Sequence, residues 1–386
     1  MDLVVIGAGV VGAACAYYAA RAGLSVAVVD RGPVAGGTSG CGEGNLLVSD
    51  KGPGPELELA RMSLALWSEL AQELPADVEF EAKGGLVVAE DAQQLRLLGE
   101  FAAAQARAGV AVGQVDADAL RDREPHLAPG LAGGFHYPED AQVQPARAAA
   151  HLLEHAGRAG ALVFLGEEVT EVTLTPRGRV SGVRTSRRRL AAGAVVNAAG
   201  TWAGRIAELA GSFLPVQPRR GFVLVTEPLP PLVRHKVYAA GYVADVASGG
   251  AELQTSPVVE GTPAGPVLIG ASRERVGFDR RISREAVRRL AAAGTGLFPV
   301  LSRVRVVRVY CGFRPYLPDH LPAIGPDRHV PGLYHACGHE GAGIGLAPAT
   351  GLVIARQLTG AETGVDVKPF DPGRLAGPAD ARPASA

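Results

Sequence analysis

The apolar positions of the first thirty residues change period twice. Leu3 to Ile6 is a continuous apolar run of strand length. Val10 to Ala22 is small and apolar at helical spacing, and Gly23 stands where a helix end favours a left-handed residue. Ser25 to Val29 is apolar and rich in β-branched residues, and closes on Asp30. The pattern predicts strand, helix, strand. Leu3 to Ala20 carries no charge and has the length of a membrane span. Its glycines and β-rich start fit a buried strand–turn–helix better, and it lacks the basic n-region of a signal peptide.

The alternation continues along the chain. Residues 31–55 are loop-rich. Helices are predicted over 56–74, with Glu56 and Glu58 in the early turns after Pro55, over 92–108, and from Ala146 to Arg158. Gly85 to Ala89 reads as a strand, as do segments near 161–165, 168–174, 179–185 and 193–196. Residues 216–275 read mainly as β, followed by a helix over 283–293. The last element is an apolar helix, Ala347 to Leu358, reached through a glycine-rich turn, and the chain from Pro369 is expected to be loose. No solenoid period is present. α/β alternation at both ends around a β-rich middle predicts a Rossmann-like nucleotide domain interleaved with a β-sheet-rich substrate domain. The first takes residues 1–80, 145–215 and 318–365, the second 81–144 and 216–317, and 366–386 form a flexible tail.

Composition agrees with this picture. A chain of 386 residues has room for two domains, and 47% hydrophobic with 20% charged residues is a globular balance. A net charge of −1 provides no field toward nucleic acid or an anionic membrane. The 51 glycines and 28 prolines follow no period, which indicates tight turns. Cys15, Cys41, Cys311 and Cys337 form no C-x-x-C pair. No metal site is therefore expected, and a reduced cytoplasm is the expected compartment.

The chemistry starts at Gly7-Ala8-Gly9-Val10-Val11-Gly12, a G-x-G-x-x-G run between strand and helix, with Asp30 ending the second strand. Gly7 permits the tight turn, Gly9 lets a pyrophosphate approach the backbone, and Gly12 lets helix and strand pack closely. The helix N-terminus, Val10 and Val11 included, favours the negative charge. Asp30 would accept ribose hydroxyls and repel the extra phosphate of NADP. The fingerprint alone does not separate FAD from NAD. Arg31, Thr38 and Ser39 supply a cation, hydroxyls and free amides for phosphates. Ala199, Gly200 and Trp202 follow the buried strand Ala194 to Val196, where small residues let the backbone touch a flat ligand.

Taken together, these motifs resemble the D-amino-acid-oxidase superfamily of FAD-dependent amine oxidoreductases over Leu3 to about Gly360. The pieces are Gly7–Gly12 with Asp30, Gly37-Thr38-Ser39, Val195 to Trp202, Gly270–Gly277, Gly312-Phe313-Arg314-Pro315 with Asp319, and Gly338-His339-Glu340-Gly341-Ala342-Gly343-Ile344-Gly345. The resemblance implies FAD as cofactor, with Val169 touching the adenine. It places Gly341, Gly343 and Ile344 under the flavin, and Gly44, Asn45, Gly312, Arg314, Gly338 and Ala342 among the residues that bind the cofactor. A glycine-rich turn feeding a helix offers N–H donors to a flavin edge that becomes anionic on reduction. The implied reaction removes hydride from the carbon beside an amine nitrogen to flavin N5.

Within that reaction Arg314 is expected to clamp the substrate carboxylate by two parallel charge-assisted bonds. His339 and Glu340 are candidates to orient the amine or tune its proton. The alternative for them is a satisfied loop histidine and an exposed glutamate. Tyr242 is a substrate-facing aromatic or a packed tyrosine, and Gln144 is a lesser candidate. Cys311 lies near the place of covalent flavin attachment in some sarcosine oxidases, but its spacing to Asp319 differs by one residue, so non-covalent FAD is expected. The Gly44–Asp50 and Gly338–Gly341 segments resemble hydroxyproline and opine dehydrogenase subunits. They point to a dehydrogenase of a cyclic imino acid such as 4-hydroxy-D-proline, or of a D-amino acid. An O2-using oxidase, an FAD subunit of a hetero-oligomer with an iron–sulfur partner or a quinone as acceptor, and a non-catalytic FAD-binding protein are the alternatives.

Overall fold

The computed structural model describes residues 1–242 and 249–375. Two sheets organise them. The first has six strands, in spatial order Ala323–Pro326, Leu333–Cys337, Ala194–Asn197, Leu3–Ile6, Val26–Asp30 and Leu162–Leu165. All neighbours are parallel except the first pair. Leu3, Val5, Val26 and Val28 face the helix layer, while Val4, Ile6, Ala27 and Val29 face a three-stranded meander, Val169–Leu174, Val180–Thr185 and Arg189–Ala191. Burial on both faces is the reason these strands read as unbroken apolar runs.

The helix Val10–Arg21 packs against Gly343–Thr359. Small residues set this distance: a Cβ on Gly351 would sit 2.5 Å from the Ala14 backbone. Helix Gly343–Thr359 begins four residues before the predicted Ala347, because the glycines expected to form a turn adopt helical backbone instead. Pro348 lies inside it and lacks an N–H. The carbonyl four residues back, on Ile344, is satisfied by the Trp67 indole at 3.0 Å.

The second sheet has eight strands, in order Val306–Tyr316, Gln217–Thr226, Val267–Arg273, Gln254–Gly261, Lys236–Ala239, Gly85–Ala89, Gly133–Tyr137 and Gly113–Val115. One face packs Phe222, Leu224 and Ile269 on the helix Arg284–Leu297. From the other face, Val87, Tyr238, Val258 and Ala271 join the core of the first sheet's helix layer. The architecture is a Rossmann-like α/β unit with a β-sheet-rich unit laid against it, and the site lies between them.

The tail needs correction. Residues 366–375 are docked rather than loose: Phe370 is 1% exposed, and Arg374 holds Asp319 at 2.7 Å. Residues 376–386 lie outside the described residues, as does Val243 beside Tyr242. No helix among the described residues is long and apolar enough to cross a membrane.

Candidate active site

A cavity of about 730 Å³ runs along the carboxyl ends of the first sheet's parallel strands and under the second sheet, where ligands bind in such folds. Its first stretch is the glycine fingerprint. Gly7, at φ +118°, leaves no room for a side chain, since a Cβ would overlap the Ala198 carbonyl. A Cβ on Gly12 would overlap the Gly7 carbonyl, so Gly12 serves the helix–strand contact and does not line the cavity. Gly9, Val10 and Val11 do line it, and the N-cap residue Gly9 has no side chain to cap the helix that begins at Val10. Ser39 Oγ accepts the Val10 N–H at 3.1 Å.

Asp30 also faces the cavity. Its carboxylate accepts the Ala8 and Gly32 amides, each at 2.7 Å, and keeps acceptor capacity for a ribose. Thr38 donates to the Phe313 carbonyl at 2.6 Å, tying this loop to the second sheet. Arg31 lies over the Trp202 ring, 4.2 Å from its centroid. Val169 lines the cavity from the meander. Ala199, Gly200 and Trp202 line it from the turn after Ala194–Asn197, which Asn197 pins through the Ala203 carbonyl at 2.8 Å.

At the other end, Gly341, Gly343 and Ile344 bring a second helix N-terminus to the same cavity, again without a side-chain cap. Asn45, Gly312 and Arg314 complete this end, with Tyr242. Two helix starts facing one long cavity, with glycines where a Cβ would fill it, fit a dinucleotide whose pyrophosphate and ring edge are both electron-rich.

A family model described as FAD dependent oxidoreductase matches residues 2–357. The chain belongs to that family. Hydrogen cyanide synthase subunit HcnC of Pseudomonas aeruginosa is 31% identical, over 96% of this chain and 95% of its own length. Glycine oxidase of Geobacillus kaustophilus is 31% identical over 96% of each sequence. Its crystal structure matches with a TM-score of 0.87, covering 97% of this chain and 99% of that one at 30% identity. L-proline dehydrogenase of P. horikoshii shares the fold, with a TM-score of 0.87 over 97% of each chain at 23% identity. The protein is thus an FAD-dependent oxidoreductase.

At the Gly343 end of the cavity the cationic lining residue is Arg314. Its Nη1 donates to the Ser272 carbonyl at 2.7 Å, and no carboxylate pairs with it among the described residues. Burial, with Arg273 beside it, lowers its pKa, yet a guanidinium stays charged. Tyr242 packs edge-on against Tyr238, at 5.1 Å between centroids, with Arg273 5.1 Å from its ring. Burial raises the Tyr242 phenol, and its hydroxyl makes no hydrogen bond among the described residues.

Glu340 lines the cavity at φ +47°. It is not free: Arg219 Nη1 holds it at 2.8 Å and His320 Nδ1 at 3.3 Å. Burial pushes its carboxyl up, but His320 and Arg219 outweigh that and leave it below the ordinary value. The carboxylate is thus held in place by the Arg219 and His320 side chains.

Several expectations are corrected. His339 reaches the cavity wall, but its Nε2 sits 3.0 Å from the Thr350 hydroxyl, and burial holds its pKa at about 3. Burial therefore favours its neutral form, held against Thr350. Gly44, Gly338 and Ala342 do not line the cavity. Gly44 is pressed against the Val143 carbonyl, Gly338 against Leu317, and Ala342 precedes the helix and donates its N–H to His339. Gln144 caps the helix Pro145–Arg158 through the Arg147 amide at 3.0 Å. Cys311 packs with the core on the far side of its sheet, whereas Cys41 lines the cavity.

The sequence reading missed Arg219, Arg273 and Glu43, all buried. Arg219 and Arg273 sit in strands whose motif value is nil without the pairing register. Glu43 had one visible signal: it is the only charge between Arg31 and Asp50.

Proposed function

We propose that the protein oxidises a small α-amino or α-imino acid at the carbon bearing nitrogen, with Arg314 holding its carboxylate. The observation behind this reading is the Arg314 guanidinium, without an acid partner, at the end of the cavity where Gly343 starts its helix. When bound, FAD supplies the acceptor for the hydride that leaves that carbon. Arg314 fixes the substrate's orientation, and bidentate geometry makes arginine better suited than lysine for this. The free Tyr242 hydroxyl adds a hydrogen bond to the same carboxylate. Glu340, held by Arg219 and His320, keeps a fixed negative charge beside the site. Cavity walls from both sheets exclude water from the reacting carbon. Non-covalent FAD accords with Cys311 facing away, and acid precipitation should release the flavin into solution.

A dehydrogenase of a cyclic imino acid such as 4-hydroxy-D-proline is the reading drawn from the Gly44–Asp50 and Gly338–Gly341 segments. The likeness to a glycine oxidase at 31% identity favours a second one, an O2-using oxidase of glycine or N-methylglycine. The likeness to HcnC, named as a subunit, raises a partner chain as the acceptor. One experiment separates these. The flavin is reduced anaerobically with each amine, and air is then admitted. Reoxidation within the time of one turnover supports an oxidase. Flavin that stays reduced in air but is reoxidised by a quinone or dye supports the dehydrogenase.

A further inference from the structure

One carboxyl in the cavity wall has no part in the site described so far. Glu43 follows the turn Thr38–Cys41 and lines the same cavity as Arg314 and Tyr242. It is 9% exposed, and its Oε1 is buried without a hydrogen-bond partner. That oxygen lies 3.9 Å from Lys236 Nζ, and Lys236 is itself fully buried and already in close contact with Glu260. One ammonium therefore faces two carboxyls, and Glu260 holds it more closely. Gly270 leaves the Glu43 carboxyl its place, since a Cβ there would sit 2.7 Å from it.

Keeping a carboxyl in such a site costs free energy unless a partner or a proton compensates it. Lys236 compensates it only in part. Arg314 and Asn45 add to it, and a further cation on the cavity side, such as the ammonium group of an amino acid, would complete it. The charges at this end are complementary to such a ligand: a guanidinium without an acid on one side and an under-compensated carboxyl on the other.

We propose that Glu43 receives the substrate's ammonium nitrogen and takes its proton. This rests on the reading in which Arg314 holds the carboxylate, so that the amino acid spans the two groups. One N–H bond breaks and one O–H bond forms on the Glu43 carboxylate. The electron pair stays on nitrogen, where it stabilises the positive charge that develops as hydride leaves the neighbouring carbon. The proton passes to water as product departs. The groups facing Glu43 are Lys236 and Glu260 from their strands, Arg314 from the edge strand, Asn45 beside it in the chain, and Tyr242. Burial raises its pKa, Lys236 and Arg314 act against that, and Glu260 acts with it. A raised carboxyl pKa lies nearer the working pH, where proton transfer is most effective.

The test uses the full-length FAD-loaded protein and E43Q, which keeps the shape beside Gly270. The probe is whichever of glycine, sarcosine or D-proline reduces the wild-type flavin fastest without oxygen. In E43Q we expect wild-type flavin content and absorption, and unchanged binding of acetate, which has no amine. We expect the rate of flavin reduction at neutral pH to fall on the order of a hundredfold, and its rise with pH to move upward toward the amine's own pKa. Reduction at the wild-type rate with the wild-type pH profile would overturn the assignment while leaving the oxidation reading intact. A wild-type flavin that no amine reduces overturns both. Should E43Q lose FAD, E260Q is decisive. Removing that neighbouring charge lowers the Glu43 pKa, so the limb of the pH profile moves to lower pH, and an unmoved limb overturns the proposal.

Discussion

At the scale of residues, the site separates charges that are satisfied from charges that are not. Glu340 and Arg219 satisfy each other, and His339 is neutral against Thr350. Arg314 is left over, and its removal is informative. Arg314→Ala is expected to raise KM for amino-acid substrates, with a loss in kcat/KM of about 2–5 kcal/mol and normal flavin content. Steady-state kinetics on carboxylate substrates checks this, and an unchanged KM sinks the clamp. His339 carries a stability prediction. Its pKa falls from 6.5 to about 3 on folding, so between these values the unfolded chain binds a proton that the folded chain does not. Stability from this residue is complete above pH 6.5 and declines as pH falls, by up to about 1.4 kcal/mol per unit. Urea midpoints measured from pH 7 to 4 should fall less steeply for His339→Asn than for wild type. Equal slopes would contradict the buried neutral state.

At the scale of elements, small residues at crossings hold the site's scaffold. Gly351→Ala puts a methyl into the Ala14 backbone, and is expected to cost about 1–3 kcal/mol of stability, read as a lower urea midpoint. A midpoint equal to wild type would show that the two helices can separate freely. The first strand, helix and second strand were legible because the apolar period and the glycines agree there. The edge strand Val306–Tyr316 was not read as a strand. Its first residues, Val306, Val307 and Arg308, are exposed, so no buried face imposes a two-residue alternation on them. The start of helix Gly343–Thr359 was misplaced because glycine weighs against helix in isolation. The fingerprint and Arg314 were legible as motifs. Arg273 and the Glu43–Lys236–Glu260 cluster were not, because they come together only through strand order.

At the scale of the whole molecule, two units that share part of one core create the cavity between them. One supplies two helix starts to the cavity, and the other supplies Arg314 and Tyr242 to its lining. The account's central claim joins these two supplies: a flavin reduced by an amine that also carries a carboxylate. The direct measurement is the absorbance of the bound oxidised flavin, followed without oxygen, on adding matched pairs of compounds. Each pair consists of an amino or imino acid and the same amine lacking its carboxylate, such as sarcosine with dimethylamine and proline with pyrrolidine. The account expects bleaching by at least one acid of the panel and none by its decarboxylated partner at equal concentration. Bleaching by both members of a pair at the same rate, or by no amine while dithionite bleaches the flavin fully, would contradict it.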